Sequence, residues 1–157
     1  MITALRAALL CKSTSKTDDD VISLEGLYTS HFTYAQNPAY LRASLYMHMD
    51  LDGRSGPASL RLKAPHFLHR VPMTTPLQVL NTVAVLQFVL PIVEPGELIV
   101  VLMDEGPRGK AYTTKWGLGF TPDAKRAEQS AEDVIRLCNE ETARLLGAVS
   151  GRAPQRH

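Results

Sequence analysis

Residues 90–105 read LPIVEPGELIVVLMDE. Two apolar runs, 83–92 and 98–103, meet there at Glu94-Pro95-Gly96. Pro-Gly is a turn signal, because proline presets φ and glycine accepts backbone angles closed to other residues. Each run is apolar at successive positions, which is the pattern of a strand covered on both faces. The stretch therefore reads as a late hairpin at the centre of a β-rich core. One face of each strand meets a facing sheet, and the other face needs a separate cover.

Working outward, shorter strands announce themselves by period-two alternation. Leu5, Ala7, Leu9 and Cys11 alternate with Arg6 and Lys12. A polar loop, STSKTDDD, spans 13–20, then 21–32 (VISLEGLYTSHF) resumes the alternation with Gly26 as a bulge or close-approach position. The clearest strand is 40–51. Leu41, Ala43, Leu45, Met47, Met49 and Leu51 share one face, and Arg42, Ser44, His48 and Asp50 the other. Asp52-Gly53 turns the chain, and Leu60 and Leu62 alternate with Ser59, Arg61 and Lys63. Pro65 and Pro72 bracket a stretch read as a loop, APHFLHRVP. Residues 110–120 alternate again, with Tyr112, Trp116, Leu118 and Phe120 together.

The pattern then changes to helical. Thr121-Pro122-Asp123 fits a cap with proline next to it at the first helical position. Ser130 with Asp133 is a second start signal, resembling a capping box. From Ala131 the apolar spacing is four and three: Ile135, Cys138, Thr142, Leu145 and Val149, widened by Val134, Leu137 and Leu146. Glu132/Arg136 and Glu140/Arg144 are i,i+4 pairs in the favourable order. Gly151 and Pro154 end the helix. The organisation expected is a β-sandwich over 1–120, a C-terminal helical extension over 121–150, and a loose tail over 151–157. The fold class expected is mainly β: an antiparallel sandwich with one amphipathic helix laid over the outer face of the strands around Pro95-Gly96.

The order of an N-terminal strand ending in Leu-Leu-Cys, then VISLEGLYTSHF, NPAYLRASLYMHM and EPGELIVVLMDE, resembles a bacterial family of small uncharacterised proteins, carried as a domain of unknown function with an immunoglobulin-like β-sandwich fold. The resemblance covers about residues 2–120. It implies the sandwich and brings no catalytic residue or ligand with it.

Composition narrows the function classes. The chain has 157 residues, enough for one domain with a core of its own. Seventeen basic residues against sixteen acidic ones leave a net charge of +1, which argues against a large electrostatic footprint for nucleic acid or anionic membrane. Two distant cysteines, Cys11 and Cys138, do not make a disulfide framework and read as buried thiols. MITALRAALLCKS lacks the charge and length pattern of a signal peptide, and no stretch reaches the roughly 18 apolar residues of a membrane span, so the expected location is cytoplasmic.

Candidate chemistry is sparse. His66 and His69 (HFLH) have a metal-compatible spacing but no third or fourth ligand nearby, and a zinc site needs three or four. Asp18-Asp19-Asp20 could face a hard cation but lacks EF-hand spacing and reads as a solvated loop. Asp104 and Glu105 are adjacent on a strand, so they point to opposite faces and cannot flank one substrate. Trp116 and Tyr112 fit core packing better than a stacking platform. Neither a P-loop, nor a G-x-S-x-G elbow, nor a dinucleotide fingerprint occurs. No cofactor or metal is expected, and catalysis is the less favoured class. The favoured reading is a non-catalytic module for protein interaction or self-assembly, most simply a homodimer, with the stripe Ile135, Cys138, Thr142, Leu145 and Val149 as candidate interaction surface. The runner-up is an enzyme or small-ligand protein with a loop-built pocket near Asp18–Asp20 or His66–His69. A third reading is a nucleic-acid accessory protein using Arg6, Arg42, Arg61 and Lys63 as a weakly basic sheet face.

Overall fold

The computed structural model describes residues 1–19 and 21–150, the side chains of 148–150 excepted. Nine strands and one helix succeed one another: β1 (Ile2–Lys16), β2 (Ile22–Leu27), β3 (His31–Asn37), β4 (Ala39–Leu51), β5 (Gly56–Ala64), β6 (Phe67–Thr75), β7 (Asn81–Ile92), β8 (Gly96–Asp104), β9 (Ala111–Arg126) and α1 (Ala131–Ser150). The strands form two sheets, of order β2-β1-β4-β7 and β3-β9-β8-β5-β6. All pairings are antiparallel except β3 with β9, which is parallel.

The sheets share one apolar core. Alternation in β4 sends Leu41, Ala43, Leu45, Met47, Met49 and Leu51 inward, and all are buried. They meet Leu60, Leu62, Leu98, Val100 and Leu102 from the other sheet, with Trp116 and Leu118 beside them. Phe67 and Phe88 bridge the two layers with ring centroids 6.1 Å apart. Leu45, Met47 and Trp116 are buried as expected, and so are Leu86, Phe88 and Val100 within the two apolar runs.

Several local expectations are corrected. The Pro95-Gly96 turn does not close a hairpin: β7 lies in one sheet and β8 in the other, so the turn carries the chain across the core. The stretch 21–32 is two strands, not one, and β2 and β3 belong to different sheets. Gly26 does sit where expected, at φ 67° and so close to Lys12 that a Cβ would lie 2.9 Å from its side chain. APHFLHRVP is not a loop. Pro65-His66 makes a tight turn, with His66 at φ 59°, and β6 begins at Phe67 as an edge strand. Pro72 is tolerated there because an edge strand need not donate every N–H.

Thr121-Pro122-Asp123 starts no helix. β9 runs on to Arg126 because its end pairs with β3, Gln36 opposite Lys125 and Asn37 opposite Arg126. The register jumps between these pairs and Tyr34 opposite Phe120, so Pro122 sits in the irregularity, where its missing N–H costs no ladder bond. The helix starts instead at the second signal, where the Asp133 N–H donates to Ser130 Oγ at 3.1 Å. The ion pairs on its exposed face also differ from expectation. Arg136 lies between Asp133 and Glu140, and Arg144 bonds Glu141. The expected tail, 151–157, lies outside the described residues.

Candidate functional site

The helix stripe singled out by sequence is largely turned toward the chain's own sheet. α1 packs in cis along β7, with lesser contact to β6. Val134 and Cys138 are buried against Val89, with Leu145 half-buried beside them, and Leu146 joins the main core. Ile135 is also only half-buried, so the true seam is rotated toward Val134. Thr142, a poor residue for a coiled-coil seam, is fully buried. Its hydroxyl accepts from the Val89 N–H and donates to the Val89 carbonyl, each at 2.9 Å. β7 is an edge strand, and this one hydroxyl satisfies both main-chain groups of Val89. Asn139 extends the tie to β6, donating to the His66 carbonyl at 3.0 Å and bonding the His69 ring at 2.8 Å. Cys138 and Thr142 are thus spent on the chain's own sheet, and burial pushes the Cys138 thiol up to about 11. Val149 lies outside the described side chains.

The helix covers β7 and not β8, contrary to the expected placement over both. On β8 the outward residues Ile99, Val101 and Met103 are half-buried without a helix above them. Ile99 stands between Lys63 on β5 and Lys115 on β9, Val101 between Arg61 and Thr113, and Met103 between Ser59 and Ala111. Long basic side chains can lay their methylenes over such a stripe while the charge stays in water.

The other sequence candidates do not converge. His66 is half-exposed in its turn, with Glu94 3.8 Å away, while His69 is held by Asn139. Among the described residues no three His, Cys, Asp or Glu side chains gather at metal-binding distance. Asp19 accepts from Thr17, which holds its carboxyl below the usual range; Asp20 lies outside the described residues. Asp104 and Glu105 do point apart. Buried Asp104 accepts from the Ile2 and Gly106 N–H groups at 2.8 and 2.9 Å, and Glu105 accepts from Ser59 and Arg70. The four basic residues proposed as one face are split. Arg6 and Arg42 lie on the β1-β4 sheet, where Arg6 pairs with Asp50, while Arg61 and Lys63 lie on the opposite sheet.

Two surfaces remain that sequence reasoning did not single out. The first is the outer face of the β1-β4-β7 region. Leu9, Tyr46 and Val85 are aligned across three strands, and Ala7, His48 and Val83 form the next rung. Leu9 and Val83 are 37% and 38% exposed, and the others are half-buried. Bulges in β1 between Ile2 and Ala4 and between Leu5 and Ala7 shift its phase, so Leu10 turns inward and Leu9 outward. Strict alternation from Leu5 had put Leu9 in the core.

The second is a groove at the start of α1. It has two continuous parts, about 760 and 370 Å³, which share Tyr40 and Gln129. Three crossings build it: β3 into β4 through the cis Asn37-Pro38 peptide, the end of β9, and the first turns of α1. Tyr40 is 57% exposed and Leu137 44% exposed at its lip. Tyr34 lies deeper, and burial pushes its phenol up to about 12. The one sequence signal for this groove was Tyr40, an aromatic on the polar side of an alternating strand. No protein-family model matches the chain, and no curated protein matches it significantly.

Proposed function

We propose that the chain is a non-catalytic interaction module that pairs with a second copy of itself through the outer face of its β1-β4-β7 region. The observation that carries this reading is the apolar rung Leu9–Tyr46–Val85, with Ala7 and Val83 flanking His48 on the next rung, left half open to water on a three-strand face. Contiguous apolar area of this kind on a soluble surface marks an interaction site. Sheets pack face to face about 10 Å apart, and a two-fold axis through such a face brings each rung onto its own copy. The acids that could have served catalysis are bound up in structural hydrogen bonds, which supports the non-catalytic class.

The same reading takes the sandwich as immunoglobulin-like and the chain as a relative of the small bacterial family it resembles. The two-sheet architecture and the order of the quoted strands support it. A cytoplasmic location belongs with it; no helix among the described residues is long and apolar enough to cross a membrane.

The test is the oligomeric state. Light scattering at high micromolar concentration should give twice the chain mass, and Tyr46→Asp with Val85→Asp should give a folded monomer. A wild-type monomer across the whole concentration range would reject self-pairing.

A further inference from the structure

We propose that the groove at the start of α1 binds an extended acidic segment of a partner protein through an apolar anchor and two or more carboxylates. This goes beyond self-pairing and uses a different surface, although it rests on the same class of interaction module.

The groove has an apolar end and a basic end. At the apolar end, Leu137 projects beside Tyr40 over a floor containing Val89 and Val134. Side chains of this kind, held on a strand and a helix rather than on a loop, give an anchor residue a preformed seat. At the other end, Lys125 and Arg126 both line the space. Among the described residues no acid forms an ion pair with either. Arg42, between the ends, reaches only to 3.9 Å from Glu141. Glu141 is already held by Arg144, whose Nε donates to it at 3.0 Å. Three cations therefore line the groove against Glu128 and Glu141, and one of those acids is occupied. A segment bearing carboxylates on one side of a leucine or phenylalanine complements this gradient, whereas a basic segment meets like charge. Tyr and Arg at the lip are the residue types that carry binding energy at protein contacts.

The test begins with a displayed library of random 16-residue peptides selected on the full chain. Enriched sequences should share Asp or Glu beside one large apolar residue, and should bind as synthetic fluorescein-labelled peptides. Lys125→Glu with Arg126→Glu should raise their Kd about tenfold or more, and added salt should weaken wild-type binding. Leu137→Asp should weaken them similarly. Both variants change exposed residues, so circular dichroism should show an unchanged fold. Val85→Asp, which breaks only the self-pairing face, should leave peptide affinity as it is. The proposal is overturned if no sequence family is enriched, if the enriched family lacks acids, or if charge reversal leaves Kd unchanged. It is also overturned if charge reversal dissociates the dimer, since the groove would then hold a second copy.

Discussion

β7 and β8 are both rich in Val and Leu and are joined by one short turn, yet their outer faces are protected by different means. β7 is an edge strand, and α1 lies against it, with Thr142 taking both main-chain groups of Val89. β8 is central in its sheet, so its ladder is already complete; of its outward residues Ile99 stands between Lys63 and Lys115, and Val101 beside Arg61. An apolar run signals a need for cover. It does not say whether the cover is an element or a fringe of long side chains. What decides is the strand's place in the sheet: an edge leaves polar groups open as well as apolar area, and a helix carrying one hydroxyl answers both.

The largest break in this comparison should come from the helix side. Leu146→Asp places a charge in the main core and should cost about 3–5 kcal/mol by urea unfolding. Val101→Asp on β8 should cost under about 1 kcal/mol, since its outer face already meets water. Equal costs would show that β8 is covered as tightly as β7.

Thr142→Val should come next, at about 1–3 kcal/mol, because it keeps the shape and leaves the Val89 N–H and carbonyl unpaired. Thr142→Ser should recover most of the loss. Burial holds the Cys138 thiol far above neutral pH, so iodoacetamide at pH 8 should label it slowly in the native chain and faster in Thr142→Val. Equal labelling rates would mean that Val89 is satisfied some other way.

His69→Ala removes one hydrogen bond between β6 and α1 and should cost about 0.5–1.5 kcal/mol. A reading of the two histidines as free loop residues predicts no effect on the thermal midpoint. The structure replaces that expectation with a measurable loss.

The smallest effect concerns Glu105, on the β8 side. Hydrogen bonds from Arg70 and Ser59 hold its carboxyl below the usual carboxylate range. Its contribution is therefore fully present above the ordinary unfolded value of about 4.3, and is lost as pH falls through the lowered folded value. Glu105→Gln should slightly lower the thermal midpoint at pH 7 and leave it unchanged near pH 2. A drop that persists at low pH would mean that packing, not charge, is involved.

The fold was legible where local and global signals agree. In β4 six inward residues alternate without a break, and the structure keeps every one of them. Legibility failed where a second partner decided the outcome. Nothing local in 121–126 opposes a helix start; the parallel partner β3 draws those residues into strand. Bulges in β1 moved Leu9 outward, which period-two counting cannot anticipate. The helix stripe and its packing over the sheet were legible, but the role of Thr142 was not, because it looked like a flaw in a seam when it is the bond to an edge. The groove was nearly invisible, since Tyr40, Lys125 and Leu137 come from three elements and meet only through crossings between sheets.

The bond between Thr142 and Val89 also sets an order of events during synthesis. The two residues are 53 positions apart. At roughly 5–20 residues per second, β7 emerges about 3–10 s before the residue that closes its edge. Over that interval a nascent sandwich carries an open, apolar, strand-ready border, the feature that templates misassembly between neighbouring chains on one message. Slowing translation between β8 and α1 should therefore raise the insoluble fraction of this protein, and speeding it should lower that fraction.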